Sequence, residues 1–144
     1  MKRNWTRRKF LKNGLGSSVS LGAMPVTPQR DSARETLRAA MDEIVPASDG
    51  MPAASAAGAL QYLDEIFRRA PALRNRFAKG IAALEQVARR RFQKDFVKLS
   101  RDQRVESLRE LEERASPAFF ADLRDYVYEA YYTRPEIWKW MRYA

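Results

Sequence analysis

Pro71-Ala-Leu73-Arg-Asn-Arg-Phe77-Ala-Lys-Gly-Ile81-Ala-Ala-Leu84-Glu-Gln-Val-Ala88-Arg-Arg-Arg-Phe92 reads as one helix. Leu73, Phe77, Ile81, Leu84 and Ala88 recur at three- and four-residue steps, which places them on a single helical stripe. Pro71 suits the first helical position, because the N–H it lacks has no partner there in any case. A stripe of this length must be covered, and the flanking sequence supplies further helices rather than strands to cover it.

Upstream, Ser32-Ala33-Arg34-Glu35 has the form of a capping box, and Leu37, Ala40, Met41, Ile44 and Val45 follow on one stripe. This predicts a helix over 33–45, stopped by Pro46. Pro46-Ala47-Ser48-Asp49-Gly50-Met51-Pro52 is a turn segment, in which Asp-Gly supplies a tight bend and Pro52 can begin the next helix. That second helix carries Leu60, Leu63, Ile66 and Phe67 and halts near Ala70.

Downstream, Phe96 and Leu99 read as apolar plugs in an irregular stretch. Ser100-x-x-Gln103 is a second capping box, opening a fourth helix with Val105, Leu108 and Leu111 inward. Ser116-Pro117 opens a fifth, with Ser as cap and Pro in the first turn. No run alternates apolar and polar residues as a strand would. The expectation is an all-α fold, a single small domain of about five helices over 31–144.

Nine of the sixteen aromatic residues lie between Phe119 and Tyr143. Phe120, Leu123, Val127, Ala130 and Tyr131 form the core-facing stripe of the fifth helix, leaving Phe119, Tyr126, Tyr128 and Tyr132 off it. One face cannot bury them all, and Trp138 and Trp140 follow in the tail. Aromatics, Met and Arg are enriched at interface centres. The rings either complete the core or dock a partner, and a split is also possible, with Trp138 internal and Trp140 outward. Phe119, Tyr128, Tyr132, Trp138 and Trp140 are the candidate interface.

The charge is unevenly placed. Of 27 basic side chains, seven lie in residues 1–30, where none of the 18 acidic ones is found; the rest of the chain holds 20 against 18. A basic, acid-free head, a weakly apolar run from Gly14 to Val26 and a break at Pro25 and Pro28 have the order of an export signal. Thr6-Arg7-Arg8-x-Phe10-Leu11-Lys12 resembles the twin-arginine (Tat) signal, a receptor-read address carried by proteins exported already folded. The apolar run is too short to span a bilayer. Residues 1–30 are therefore expected to be a leader. Gly14-Leu15-Gly16 lies inside it with no strand before it, so it does not open a dinucleotide site.

Cys and His are both absent. That removes disulfides, thiolate and imidazole metal sites, haem ligation through His and Ser-His-Asp catalysis. The acidic pairs Asp42-Glu43, Asp64-Glu65 and Glu112-Glu113 read as solvated faces, with Asp64 and Arg68 spaced for a surface pair. Tyr126, Tyr128, Tyr131 and Tyr132 read as amphipathic packing. Arg89-Arg90-Arg91 spreads around a helix rather than along one side, so it reads as a solvated helix end and not as a nucleic-acid stripe.

Ile44-Val45-Pro46-Ala47-Ser48-Asp49-Gly50-Met51-Pro52-Ala53-Ala54, running into Tyr62-Leu63-Asp64, resembles the signature of the gluconate 2-dehydrogenase subunit 3 family. So do Phe119-Phe120-x-x-Leu123 and Tyr131-Tyr132-Thr133-Arg134-Pro135-Glu136-Ile137-Trp138. Pro46, Asp49, Gly50 and Pro52 mark the family loop; where the family usually has Pro-Gly-Ala, this chain has Pro52-Ala53-Ala54. The resemblance implies a non-catalytic small subunit of a periplasmic, membrane-associated sugar or sugar-acid dehydrogenase. In such complexes a large subunit carries FAD and a multihaem cytochrome c subunit takes the electrons. The small subunit binds no cofactor, supplies the signal read by the Tat translocase, and escorts and stabilises the folded flavoprotein. Its membrane association is indirect, through the complex. Two other readings stay open: a free-standing Tat-exported helical binding protein, and an enzyme using only carboxylates and Tyr.

Overall fold

A computed structural model describes residues 28–142, and the Tat-like residues Thr6, Arg7, Arg8, Phe10, Leu11 and Lys12 lie outside that range. From Ser32 onward the described residues cluster as one compact unit. Among the described residues there are six α-helices and no strand: α1 Pro28–Ile44, α2 Ala59–Arg69, α3 Pro71–Phe92, α4 Arg101–Glu110, α5 Pro117–Tyr132 and α6 Pro135–Trp140. A 3₁₀ turn, Phe96–Lys98, precedes α4, and a π turn, Leu111–Ala115, extends it.

Helix α3 is the central element. Its ends fall where Pro71 and Phe92 place them, and Leu73, Phe77, Ile81, Leu84 and Ala88 are all buried, joined by Gly80 and Val87. Gln93 ends it in the left-handed region, φ 57°, its N–H returning to Arg89 O. Helices α2, α4 and α5 all pack against α3. Phe96 and Leu99 are buried as plugs, and Ser100 and Gln103 form the reciprocal capping box that opens α4.

Helix α1 differs from its sequence reading at its start. It begins at Pro28, so Ser32 is an interior residue and caps nothing. The buried Thr36 hydroxyl lies 3.0 Å from Ser32 O and 2.6 Å from Glu85 Oε1. Glu85 Oε2 in turn accepts from the Phe96 N–H, 3.3 Å, so one carboxylate ties α1, α3 and the 3₁₀ turn together.

Four packing assignments are corrected. Pro52 does not begin α2, because turns continue to Gly58, which has φ +91°. Val105 is exposed, and the inward residues are Ser107 and Leu108 of α4 and Leu111 of the π turn; the Ser107 hydroxyl is satisfied by donating to Gln103 O, 2.9 Å. Ser116 makes no side-chain cap. Phe119 is buried while Phe120 is only partly covered. The Phe119 ring sits edge-on to Phe77 at 5.3 Å, directly over Gly80, where the missing side chain leaves room for it.

Many of the surface charges are paired. Arg89 binds Asp95 at 2.9 Å, Arg90 binds Glu110, and Arg91 reaches Glu110 at 3.1 Å and Glu106 at 3.2 Å. The triple-arginine run is thus a helix end held by carboxylates, Arg90 and Arg91 by those on α4 and Arg89 by one on the loop before the 3₁₀ turn. Asp64 pairs with Arg34 at 2.6 Å rather than with Arg68, which binds Glu65. Asp42 and Glu43 are not a solvated face. Asp42 accepts from the Ser55 N–H and hydroxyl at 2.7 and 2.6 Å, and Glu43, only 8% exposed, faces Arg101 and Arg104 at 3.4 and 3.7 Å.

Candidate functional site

The loop from Pro46 to Gly58 begins where Pro46 ends α1. Asp49 and Gly50 both have positive φ, 50° and 81°. Ser48 and Met51 exchange both backbone hydrogen bonds, 3.2 and 2.8 Å, across them. That is a type I′ turn, for which Asp-Gly is a preferred pair because both central residues must enter the left-handed region. Ala54 N–H donates to Val45 O at 3.0 Å and closes the loop base, and Asp42 holds Ser55.

The C-terminal segment lies against this loop. The Tyr131 hydroxyl, on a side chain 1% exposed, donates to Pro52 O at 2.7 Å. Arg134 Nη2 donates to Gly58 O at 3.0 Å, with its guanidinium 5.7 Å from the centre of the Tyr62 ring, a cation–π distance. A Cβ on Gly50 would lie 3.6 Å from Trp140 Cζ3, so the indole rests on the turn. Burial pushes the Tyr131 phenol up, with Tyr132 adding to the shift. Burial, and a hydrogen bond to the Glu129 carboxylate, raise Tyr62 as well. Both hydroxyls therefore remain protonated donors at neutral pH.

The five candidate interface rings do not share one environment. Phe119 belongs to the core and is removed from the candidate surface. Tyr128, Tyr132, Trp138 and Trp140 are 42, 44, 47 and 57% exposed. Tyr128 and Tyr132 meet edge to face at 6.0 Å, and Trp138 Nε1 donates to Tyr132 O at 2.6 Å. Trp138 is not internal as the split reading placed it: the buried residue of α6 is its neighbour Ile137. Next to Tyr128, a groove of about 290 Å³ is walled by Ile44, Val105, Leu108 and Phe120, with Arg109, Glu112 and Arg124 around it. These half-exposed aromatics present apolar faces to solvent, the composition found at interface centres.

The loop and the aromatic tail were visible in the sequence as separate features. Their contact was not. Tyr62, Gly58 and Arg134 join them, and the only local sign was Arg134 before Pro135, a position held out of the helical region and thus able to turn its side chain back. Among the described residues no cluster of three acidic side chains is placed to hold a metal ion, and no helix is long and apolar enough to cross a membrane.

The family described as gluconate 2-dehydrogenase subunit 3 matches residues 31–143. No curated protein and no solved structure matches the chain. The match covers most of the sequence, and the chain belongs to that family.

Proposed function

With membership of the gluconate 2-dehydrogenase subunit 3 family as the premise, we propose that this chain is the non-catalytic escort of a flavin-dependent sugar or sugar-acid dehydrogenase. Its leader takes the folded large subunit through the Tat translocase to the periplasm, and its helical body then stabilises that subunit. FAD is carried by the large subunit and haem c by a cytochrome subunit, and the membrane is reached through the complex. The observation that carries this reading is the family match over residues 31–143. It is supported by a leader holding Arg7-Arg8 and by a body without Cys or His. The four half-exposed rings Tyr128, Tyr132, Trp138 and Trp140 supply a surface of the type that docks protein.

Co-expression with a flavoprotein encoded beside this chain tests the escort role. Changing Arg7→Lys together with Arg8→Lys should leave the flavoprotein in the cytoplasm. If its export continues undiminished, the escort role fails. Trp138→Ala with Trp140→Ala should weaken co-purification of the pair while far-UV circular dichroism stays unchanged. Undiminished co-purification would move the interface elsewhere.

A further inference from the structure

The Pro46–Gly58 loop owns little of the core: Ala54 is its one fully buried residue. It holds its own turn bonds, Ser48 with Met51 and Ala53 with Ala57, and is tied to the rest of the body by hydrogen bonds and contacts from outside the loop. Val45, just past the end of α1, contributes its carbonyl to Ala54, and α1 contributes the Asp42 carboxylate to Ser55. Within the C-terminal segment, Tyr131 on α5 bonds Pro52, Arg134 beyond the end of α5 bonds Gly58, and the Trp140 indole on α6 lies against Gly50.

That segment has a mechanical break in it. Helix α5 ends at Tyr132, Arg134 is extended with φ −79° and ψ 128°, and Pro135 restarts the chain as the six-residue α6. Ile137 is the single fully buried side chain of α6. Two features oppose its seating. Arg134 Nε is buried with no hydrogen-bond partner, a group that water would satisfy if the segment lifted. Both indoles stay about half exposed even when the helix is seated, so closure gains only part of their burial.

We infer that α6 is a strap: it closes over the Asp49–Gly50 turn through Trp140, opens as a unit about Thr133–Arg134, and adds to the order of the loop by its closure. The turn at Asp49–Gly50 and the indole surface are then one coupled element. A ligand that grips Trp138 or Trp140 changes the population of the closed strap, and through it the shape that the turn presents. The coupling is intramolecular and does not depend on the escort role.

Amide hydrogen exchange on the full-length chain tests it. Ile137→Ala removes the anchor, and a chain ending at Arg134 removes the strap while keeping the residue that bonds Gly58. In either variant, peptides covering Ser48 to Gly58 should exchange about tenfold faster, as expected when a local restraint is lost, while peptides from Phe77 to Ala88 keep wild-type protection. Loop exchange unchanged by loss of the strap overturns the inference. So does exchange that rises as much in α3 as in the loop, since that is global destabilisation; if Ile137→Ala behaves so, the chain ending at Arg134 decides. Trp140→Ala, which keeps the anchor, should raise exchange at Met51 more than at Ala54.

Discussion

Replacing Gly80 by Ala sets helix propensity against packing and lets the structure name the winner. Gly80 lies in the interior of α3, where Ala is favoured over Gly by about 1 kcal/mol. A Cβ there would stand 2.1, 2.2 and 2.3 Å from Cγ, Cδ1 and Cδ2 of Phe119. Carbon atoms in contact sit about 3.5–4.0 Å apart, so the ring has to retreat by well over 1 Å. It has no room to do so inside the core, because Phe77 stands edge-on at 5.3 Å. Driving a ring that is 6% exposed towards solvent forfeits about 2–3 kcal/mol of burial. Set against the propensity gain, Gly80→Ala should destabilise by about 1–2 kcal/mol and lower Tm by roughly 4–8 °C. Thermal and urea unfolding followed by far-UV circular dichroism would measure this, with the urea m value unchanged. The same change made in a Phe119→Ala background should become stabilising by about 1 kcal/mol, because only the propensity difference remains. A Tm raised by Gly80→Ala alone would refute the reasoning.

Three further outcomes can be checked by the same unfolding assay. Ser100→Ala removes the hydroxyl that receives the Gln103 N–H and should cost about 1 kcal/mol, with the amides of the first turn of α4 losing exchange protection. Glu43→Gln takes the charge from a carboxylate 8% exposed and facing two guanidinium groups, and should cost about 1–2 kcal/mol with little dependence on salt. For the raised phenols of Tyr131 and Tyr62, both folded and unfolded chains hold the proton below about pH 10, so these groups leave stability flat there. Above that pH the unfolded chain gives up its phenol protons first and stability falls as pH rises; Tyr131→Phe should make the fall in urea midpoint shallower.

What could be read along the chain was local. Helix α3 was legible because Pro71 fixes its start and its stripe needs no partner to be seen, and the Ser100–Gln103 box closes over four residues. Errors arose where a local pattern competed with a distant one. Ser32 and Glu35 have capping-box spacing, but the helix runs on past them towards Pro28. Phe119 and Phe120 are adjacent, and a missing side chain at Gly80, thirty-nine residues away, chose between them. Ile137 took the inward place assigned to Trp138, since the smaller residue fits the seat of α6 and the indole N–H finds Tyr132 O at the surface. The candidate site suffered most from this. Its loop and its rings were each visible, but the hydrogen bonds that join them span 79 and 76 residues.

The clamped arginines of α3 bear on encounter rather than on stability. Arg89, Arg90 and Arg91 carry their counter-charges with them in Asp95, Glu106 and Glu110. Opposite signs this close lie well inside a Debye length of about 8 Å, so from outside the ion atmosphere their fields cancel. Residues 31–144 as a whole carry 20 basic against 18 acidic side chains, so the helical body has little net charge with which to steer a partner from a distance. Its association should run at the unsteered rate of about 10⁵–10⁶ M⁻¹s⁻¹ and vary little with ionic strength. Selectivity then resides in how long a collision complex survives, which is a matter of dissociation rates and of surface fit.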